Sequence, residues 1–191
     1  YLSGNVREKL KVAEQYANND EKYKINVKYL KEVQPFDLSA SEISVRLGST
    51  WIPEDDIKEF INYLLQPSWN VLRNIRVHYM PSTSEWNIEG KNYDKYNVKS
   101  YNTYGTNRAS AYKIIEDTLN LKDTRIFDYK EDENGRKVAE LNKKETAIAQ
   151  AKQEIIKNAF NEWIWKNPER RERLVKKYNE QFNSIRPREY D

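Results

Sequence analysis

The chain has 191 residues, with 33 Lys and Arg set against 30 Asp and Glu for a net charge of +3, too even a balance to argue for nucleic acid except through local clustering. It is long enough to bury a core, and 14 Tyr with 5 Trp supply apolar mass that a disordered chain lacks. The absence of Cys excludes disulfides, thiolate metal sites and cysteine nucleophiles. No apolar run reaches membrane-spanning length, so the expected setting is cytoplasmic, without a membrane partner.

The spacing of Val6, Leu10, Ala13 and Ala17 predicts a first helix over 3–19 with Ser3 as its cap. A second helix over 21–33 carries Tyr23, Val27 and Leu30 on one face, and Pro35 closes it. Ile43, Val45 and Leu47 then alternate with Ser44 and Arg46, which predicts a half-buried strand ended by Gly48. Pro53 stands where a first helical residue belongs, followed by Glu54, Asp55 and Asp56, whose charge suits the positive end of a helix dipole. Ile57, Phe60, Ile61, Leu64 and Leu65 form the buried stripe of that helix.

Ile75, Val77 and Tyr79 predict a strand, and Trp86 with Ile88 another, joined by a turn at 81–84. The stretch 90–106 has no period and reads as a long polar loop. A helix over 109–121 precedes a hairpin of 125–130 and 136–141 around Asn134-Gly135. Asn142 caps a long helix whose predicted buried stripe is Ala147, Ile148, Ala151, Ile155, Ala159 and Trp163. Asn167-Pro168 starts the last helix, with Leu174, Tyr178 and Phe182 inward. The expected fold is α+β: an N-terminal helical hairpin (1–38), a core of a small, mainly antiparallel sheet with flanking helices (39–141), two C-terminal helices (142–185) and an exit linker (186–191).

Catalytic signatures are missing. Five glycines at 4, 48, 90, 105 and 135 admit neither a phosphate-cradling loop nor a dinucleotide fingerprint, and no two prolines adjoin. His78, the one histidine, falls on the polar side of its strand without a second His or Cys to share a metal, so no metal site is expected. One loose pattern, Pro53-Glu-Asp-Asp56 with Glu89-Gly-Lys91, resembles the spacing of magnesium-dependent nucleases, although Asp55 and Asp56 already have a helix-starting reason to be there.

The stretch 91–108 concentrates what nucleic acid needs. Lys91, Lys95, Lys99 and Arg108 stand against Asp94 alone, and Tyr93, Tyr96, Tyr101 and Tyr104 are interleaved. Cations neutralise phosphates, and aromatic rings stack on bases. A second cluster, Arg170, Arg171, Arg173, Lys176 and Lys177, is diluted by Glu169 and Glu172, while Arg186 and Arg188 in the exit segment are candidates for DNA or a following domain. Phe160, Trp163 and Trp165 at the end of the long helix are the candidate partner-facing aromatics.

Several separated blocks carry a family resemblance: Tyr1–Leu10, Ser41–Pro53, Gly105–Ala111, Glu145-Thr-Ala147 with Phe160–Trp165, and the tail from Tyr178 through Arg186-Pro-Arg-Glu-Tyr-Asp191. Together these resemble the connector upstream of the helicase motor in large bacterial, phage and conjugative-element polypeptides that join an adenine-DNA methyltransferase to a Swi/Snf-like helicase. The start at Tyr1 is read accordingly as that of an internal fragment. The resemblance implies partners in the flanking methyltransferase and helicase parts, with ATP, magnesium and S-adenosylmethionine bound only there. It implies no catalytic residue in this stretch. The expected function is a non-catalytic DNA-engaging or coupling domain, the alternatives being a pure interdomain scaffold or the magnesium-dependent nuclease.

Overall fold

A computed structural model describes residues 1–189; Tyr190 and Asp191, the end of the expected exit linker and of the tail block, lie outside the described residues. The fold is α+β with antiparallel pairing throughout, its strands divided among three two-stranded sheets. The chain forms two compact units, Tyr1–Ser44 with Asn167–Asp191 and Val45–Lys166.

In the first unit, helix α1 (Val6–Ala17) and helix α2 (Lys24–Glu32, after a single tight turn at Glu21–Tyr23) form the expected hairpin. Val6, Ala13 and Leu30 are buried between them, with Leu10, Val27 and Val33 packed around. The cap of α1 is not Ser3 but Asn5, whose side chain accepts from the Glu8 amide. The shift has a cause, because Gly4–Asn5 (β1) pairs antiparallel with Ile185–Arg186 (β6) and the extended backbone there holds the helix back.

Helix α7 (Pro168–Phe182) opens on Asn167, which accepts from the Arg170 amide. Leu174 is buried as expected, but Phe182 is 53% exposed and its inward place is taken by Asn179. That amide donates to the Leu38 carbonyl and accepts from the Leu38 amide, ending backbone that no ladder covers. Arg7 does the same nearby, donating to the Asn183 and Pro35 carbonyls and pairing with Asp37.

The alternation at 43–47 does not make a strand. A 3-10 turn at Ala40–Glu42 and a turn closed by Ser49 N to Arg46 O occupy this stretch, although Ile43 and Leu47 are buried as the pattern required. Alternation reports burial, and a strand also needs a partner to accept its backbone.

The second unit is built on helix α3 (Glu54–Leu65), the short helix α4 (Trp69–Leu72), the hairpin β2 (Arg76–Met80) and β3 (Glu85–Glu89), and helix α5 (Ala111–Leu119). The hairpin β4 (Phe127–Glu131) and β5 (Lys137–Leu141) and the 21-residue helix α6 (Lys143–Trp163) complete it. Its core joins Ile57, Phe60 and Ile61 of α3, Val77, Trp86 and Ile88 of the first hairpin, Tyr112 and Ile115 of α5, and Ile156 and Phe160 of α6. Phe60 meets Phe160 edge-on at 5.2 Å. Residues 90–106 are not a loose loop: a 3-10 turn at Lys91–Asp94 and a π-turn at Lys99–Thr103 organise them.

The first hairpin stops at two strands because helix side chains bond backbone that further strands would bond. Glu116 accepts from Ile88 N, Asn120 bonds both the amide and the carbonyl of Trp86, and Glu54 accepts from Tyr79 N. Helix α6 is turned relative to the sequence expectation. Thr146, Ala149, Gln153, Ile156, Phe160 and Trp163 face inward, while Ile148 and Ile155 lie outside at 40% and 46% exposure. Two polar residues set that rotation. Thr146 Oγ1 accepts from Ile126 N, and Gln153, 2% exposed, accepts from Thr124 N and donates to the Lys122 carbonyl and to Thr118 Oγ1.

Gln153→Leu keeps the volume but leaves the buried Thr124 amide without its partner and removes the bond to the Lys122 carbonyl. It is expected to cost about 2–4 kcal/mol in urea denaturation, whereas Ile155→Gln on the outer face should stay within about 0.5 kcal/mol. A loss on Ile155→Gln equal to that of Gln153→Leu would contradict the observed rotation of α6.

Candidate nucleic-acid interface

The Tyr-rich stretch owes its shape to internal anchors. Asp94, its one acid, accepts from the Tyr112 phenol and from Asn97, and the Asn97 amide also donates to the Leu65 carbonyl. Gly105 is needed where the stretch returns to α5, since a Cβ there would lie 2.0 Å from the Ser100 carbonyl oxygen and 2.6 Å from Ala111 N. The thread of Thr106 to Ala109 is closed by the Thr106 hydroxyl, which accepts from Arg108 N and Ala109 N.

These anchors consume most of the cations singled out in the sequence. Lys91 Nζ is 2.7 Å from Glu116, Lys99 donates to Gln66 Oε1 at 2.6 Å, and Arg108 pairs with Asp128 at 2.9 Å while donating to the Phe127 carbonyl. The bond from Arg108 holds the Asp128 carboxyl below its usual range. Counted with Glu116 and Asp128, the four cations of the stretch face three acids. Lys95 is exposed and makes no ion pair among the described residues.

The aromatic rings are differently placed. Tyr96 is 94% exposed, Tyr93 67%, and Tyr101 is partly exposed, so all three side chains reach solvent. Beside them stands a pair that sequence reading missed, Trp69, 71% exposed, with the Arg73 guanidinium 5.1 Å from its ring centre. The stretch 90–99 holds both flanks of α4. Asn97 and Lys99 bond Leu65 and Gln66 on one side, and Gly90 packs so closely on Asn74 that a Cβ would meet its carbonyl oxygen at 2.4 Å. The segments that carry Trp69 and Arg73 on one side and Tyr93, Lys95 and Tyr96 on the other are thereby held against each other. An exposed Trp with an Arg two residues before a buried Ile was the signal available in the sequence, but α4 is too short for periodicity to find.

The other candidates are not part of this stretch. Phe160 and Trp163 are buried in the second unit, and Trp165 is half-buried and stacks with Trp51 at 6.5 Å. Tyr63, half-exposed over Trp163, is the ring that reaches solvent there. Arg170 is buried, Arg186 lies 3.4 Å from Glu189, and Arg188 is exposed, all in the first unit. The residues of the nuclease pattern are engaged otherwise: Asp56 is 2% exposed, Glu54 accepts from Tyr79 N, and Lys91 is held by Glu116. His78 is exposed, about 4.0 Å from both Glu54 and Glu89. Among the described residues no group of three or more His, Cys, Asp or Glu is placed to hold a metal ion, and no helix is long and apolar enough to cross a membrane.

A family model, described as a domain of unknown function (DUF8437), matches residues 46–184. The match covers nearly all of the second unit and continues through α7. No curated protein and no solved structure matches.

Tyr112 anchors the Tyr-rich stretch from within the core. Burial, and then the hydrogen bond and charge of Asp94, lift its phenol far above the ordinary 10.0. Because the folded value is raised, the associated stability is fully present below pH 10 and is lost as pH rises past it, where only the unfolded chain releases the proton. Tyr112→Phe is expected to cost about 1–2 kcal/mol at pH 8 through the lost hydrogen bond. The wild type should then lose up to about 1.4 kcal/mol per pH unit above 10 relative to the variant, so the two converge in denaturation series between pH 8 and 11. A gap that stays constant with pH would remove the buried phenol from this account.

Proposed function

The chain belongs to this family of unknown function, DUF8437, and we propose that it is a non-catalytic module that engages nucleic acid through the surface of Trp69, Arg73, Tyr93, Lys95, Tyr96 and Tyr101. The observation that carries the reading is the exposure of four aromatic rings on short, hydrogen-bonded turns, with two cations among them. Rings held in place lose little freedom on stacking, and stacking tolerates any base. The resemblance to methyltransferase–helicase polypeptides supports a place beside DNA-processing parts in the cytoplasm. In this proposal those parts, not this module, bind ATP with magnesium and S-adenosylmethionine.

A scaffold without DNA contact is the second reading, favoured by the outer face of α6, where Ala147, Ile148, Ala151 and Ile155 are exposed at helical spacing.

Fluorescence anisotropy with single-stranded, duplex and forked DNA across a salt series separates the two. Salt-sensitive binding is expected, strongest where bases are unpaired. Trp69→Ala and Tyr96→Ala should each weaken it by about 1–3 kcal/mol. Removing Arg73 and Lys95 should flatten the log–log salt slope by about 0.7 per cation on single strands, and removing the internally paired Lys91 or Arg108 by less. No binding to any of the three forms at low salt would leave the scaffold reading standing.

A further inference from the structure

A recess of about 300 Å³ opens in the second unit between the turn at 46–49, the end of α5 and the last turns of α6, lined by Arg46, Leu47, Leu121, Lys122, Lys157 and Asn161. Its walls are set by backbone rather than by chance rotamers. Gly48 adopts φ +110°, and a Cβ there would lie 3.0 Å from both the Leu119 carbonyl oxygen and Leu121 Cδ2, so the turn is pressed onto the helix end. Ser49 closes that turn from both sides, its amide donating to the Arg46 carbonyl and its hydroxyl accepting from Arg46 N. Leu121 is left-handed at φ +58° and 60% exposed, an arrangement that holds an apolar side chain at the recess instead of in the core. Lys122 is pinned through its backbone, its amide donating to the Asp117 carbonyl and its carbonyl accepting from Gln153.

Three cations from three elements thus line one recess. Lys157 has an exposed partner in Glu154 at 3.1 Å, and Asp123 also lines the recess. Arg46 and Lys122 make no ion pair among the described residues. Like charges brought to one recess repel until an anion joins them, and the buried Leu47 at its wall strengthens that attraction.

We propose that the recess binds a small phosphate monoester, the phosphoryl group held by Arg46, Lys122 and Lys157 and a compact organic body lying against Leu47 and Leu121. A monoester carries a charge of about −1.5 to −2 at neutral pH, which suits a recess lined by three cations better than the single charge of a phosphodiester. The volume is at the small end of ligand pockets, enough for one small molecule and not for a passing strand. The assignment does not depend on the aromatic surface and survives its failure.

Adenosine 5′-monophosphate is the probe, titrated into the whole chain and followed by two-dimensional amide NMR and calorimetry at low salt. Saturable binding with shifts at 46–49, 118–123 and 157–161 is expected, with adenosine and inorganic phosphate each weaker by about tenfold or more. Arg46→Ala and Lys122→Ala, both at solvent-exposed positions, should each weaken the nucleotide by about tenfold with an unchanged melting temperature. The proposal is overturned by an absence of saturable shifts, by adenosine binding as well as the nucleotide, or by a double variant that still binds. Displacement of the nucleotide by an unphosphorylated oligonucleotide would also overturn it, since the recess would then be reading phosphodiesters. Arg46→Ala is expected to leave DNA affinity unchanged, which keeps this test separate from that of the aromatic surface.

Discussion

Backbone left without a strand partner is the constraint on which both units depend, and polar side chains aimed from helices resolve it. A two-stranded sheet exposes both outer edges, and a buried amide without a partner costs about as much as a folded domain can spare. In the second unit Glu54, Glu116 and Asn120 bond the hairpin of β2 and β3, while Thr146 and Gln153 bond the segment 122–126. Asn179 and Arg7 serve the chain around 35–38 and 183 in the first unit. Each contact fixes a helix face as well as a loop, so the rotation of α6 and the path into β4 follow from one threonine and one glutamine.

The same constraint explains what could be read from the sequence and what could not. Helices with apolar stripes, α3 above all, were legible to within a residue, because Ile57, Phe60, Ile61, Leu64 and Leu65 have no other reason for that spacing. Hairpins with turn residues, such as 127–141 around Asn134-Gly135, were legible too. Failures came where polar residues do a core residue's work. Counting apolar side chains on α6 selects Ile148 and Ile155, and only the unsatisfied amides of 124 and 126 reveal that Gln153 and Thr146 belong inside. Phe182 and Asn179 repeat that inversion on α7. The pairing of Gly4–Asn5 with Ile185–Arg186 joins residues some 180 positions apart, and neither dipeptide signals a strand.

The interface residues were half legible for a related reason. Interleaved Lys and Tyr at 91–108 marked the stretch on which the proposed surface draws, since no apolar period competed for it. Which of these side chains face outward depended on acids far away in sequence, Glu116 on α5 and Asp128 on β4, and these turned Lys91 and Arg108 into struts. Trp69 was hidden by its place in a one-turn helix, and only the bonds from Asn97 and Lys99 to Leu65 and Gln66 tie the segment before it to the Tyr-rich stretch.

That division of labour bears on what kind of nucleic acid the proposed surface suits. Duplex recognition by backbone contact rests on many phosphates neutralised at once, and a protein built for it leaves its cations unpaired along a groove. Here Lys91, Lys99 and Arg108 hold the turns that carry the rings, and Lys95 with Arg73 are the cations left to the proposed surface. Affinity on such a surface comes chiefly from ring faces, which a stacked base pair does not offer and an unpaired base does. The proposed module is therefore suited to strand ends, forks and melted stretches, with a shallow salt dependence as its physical signature.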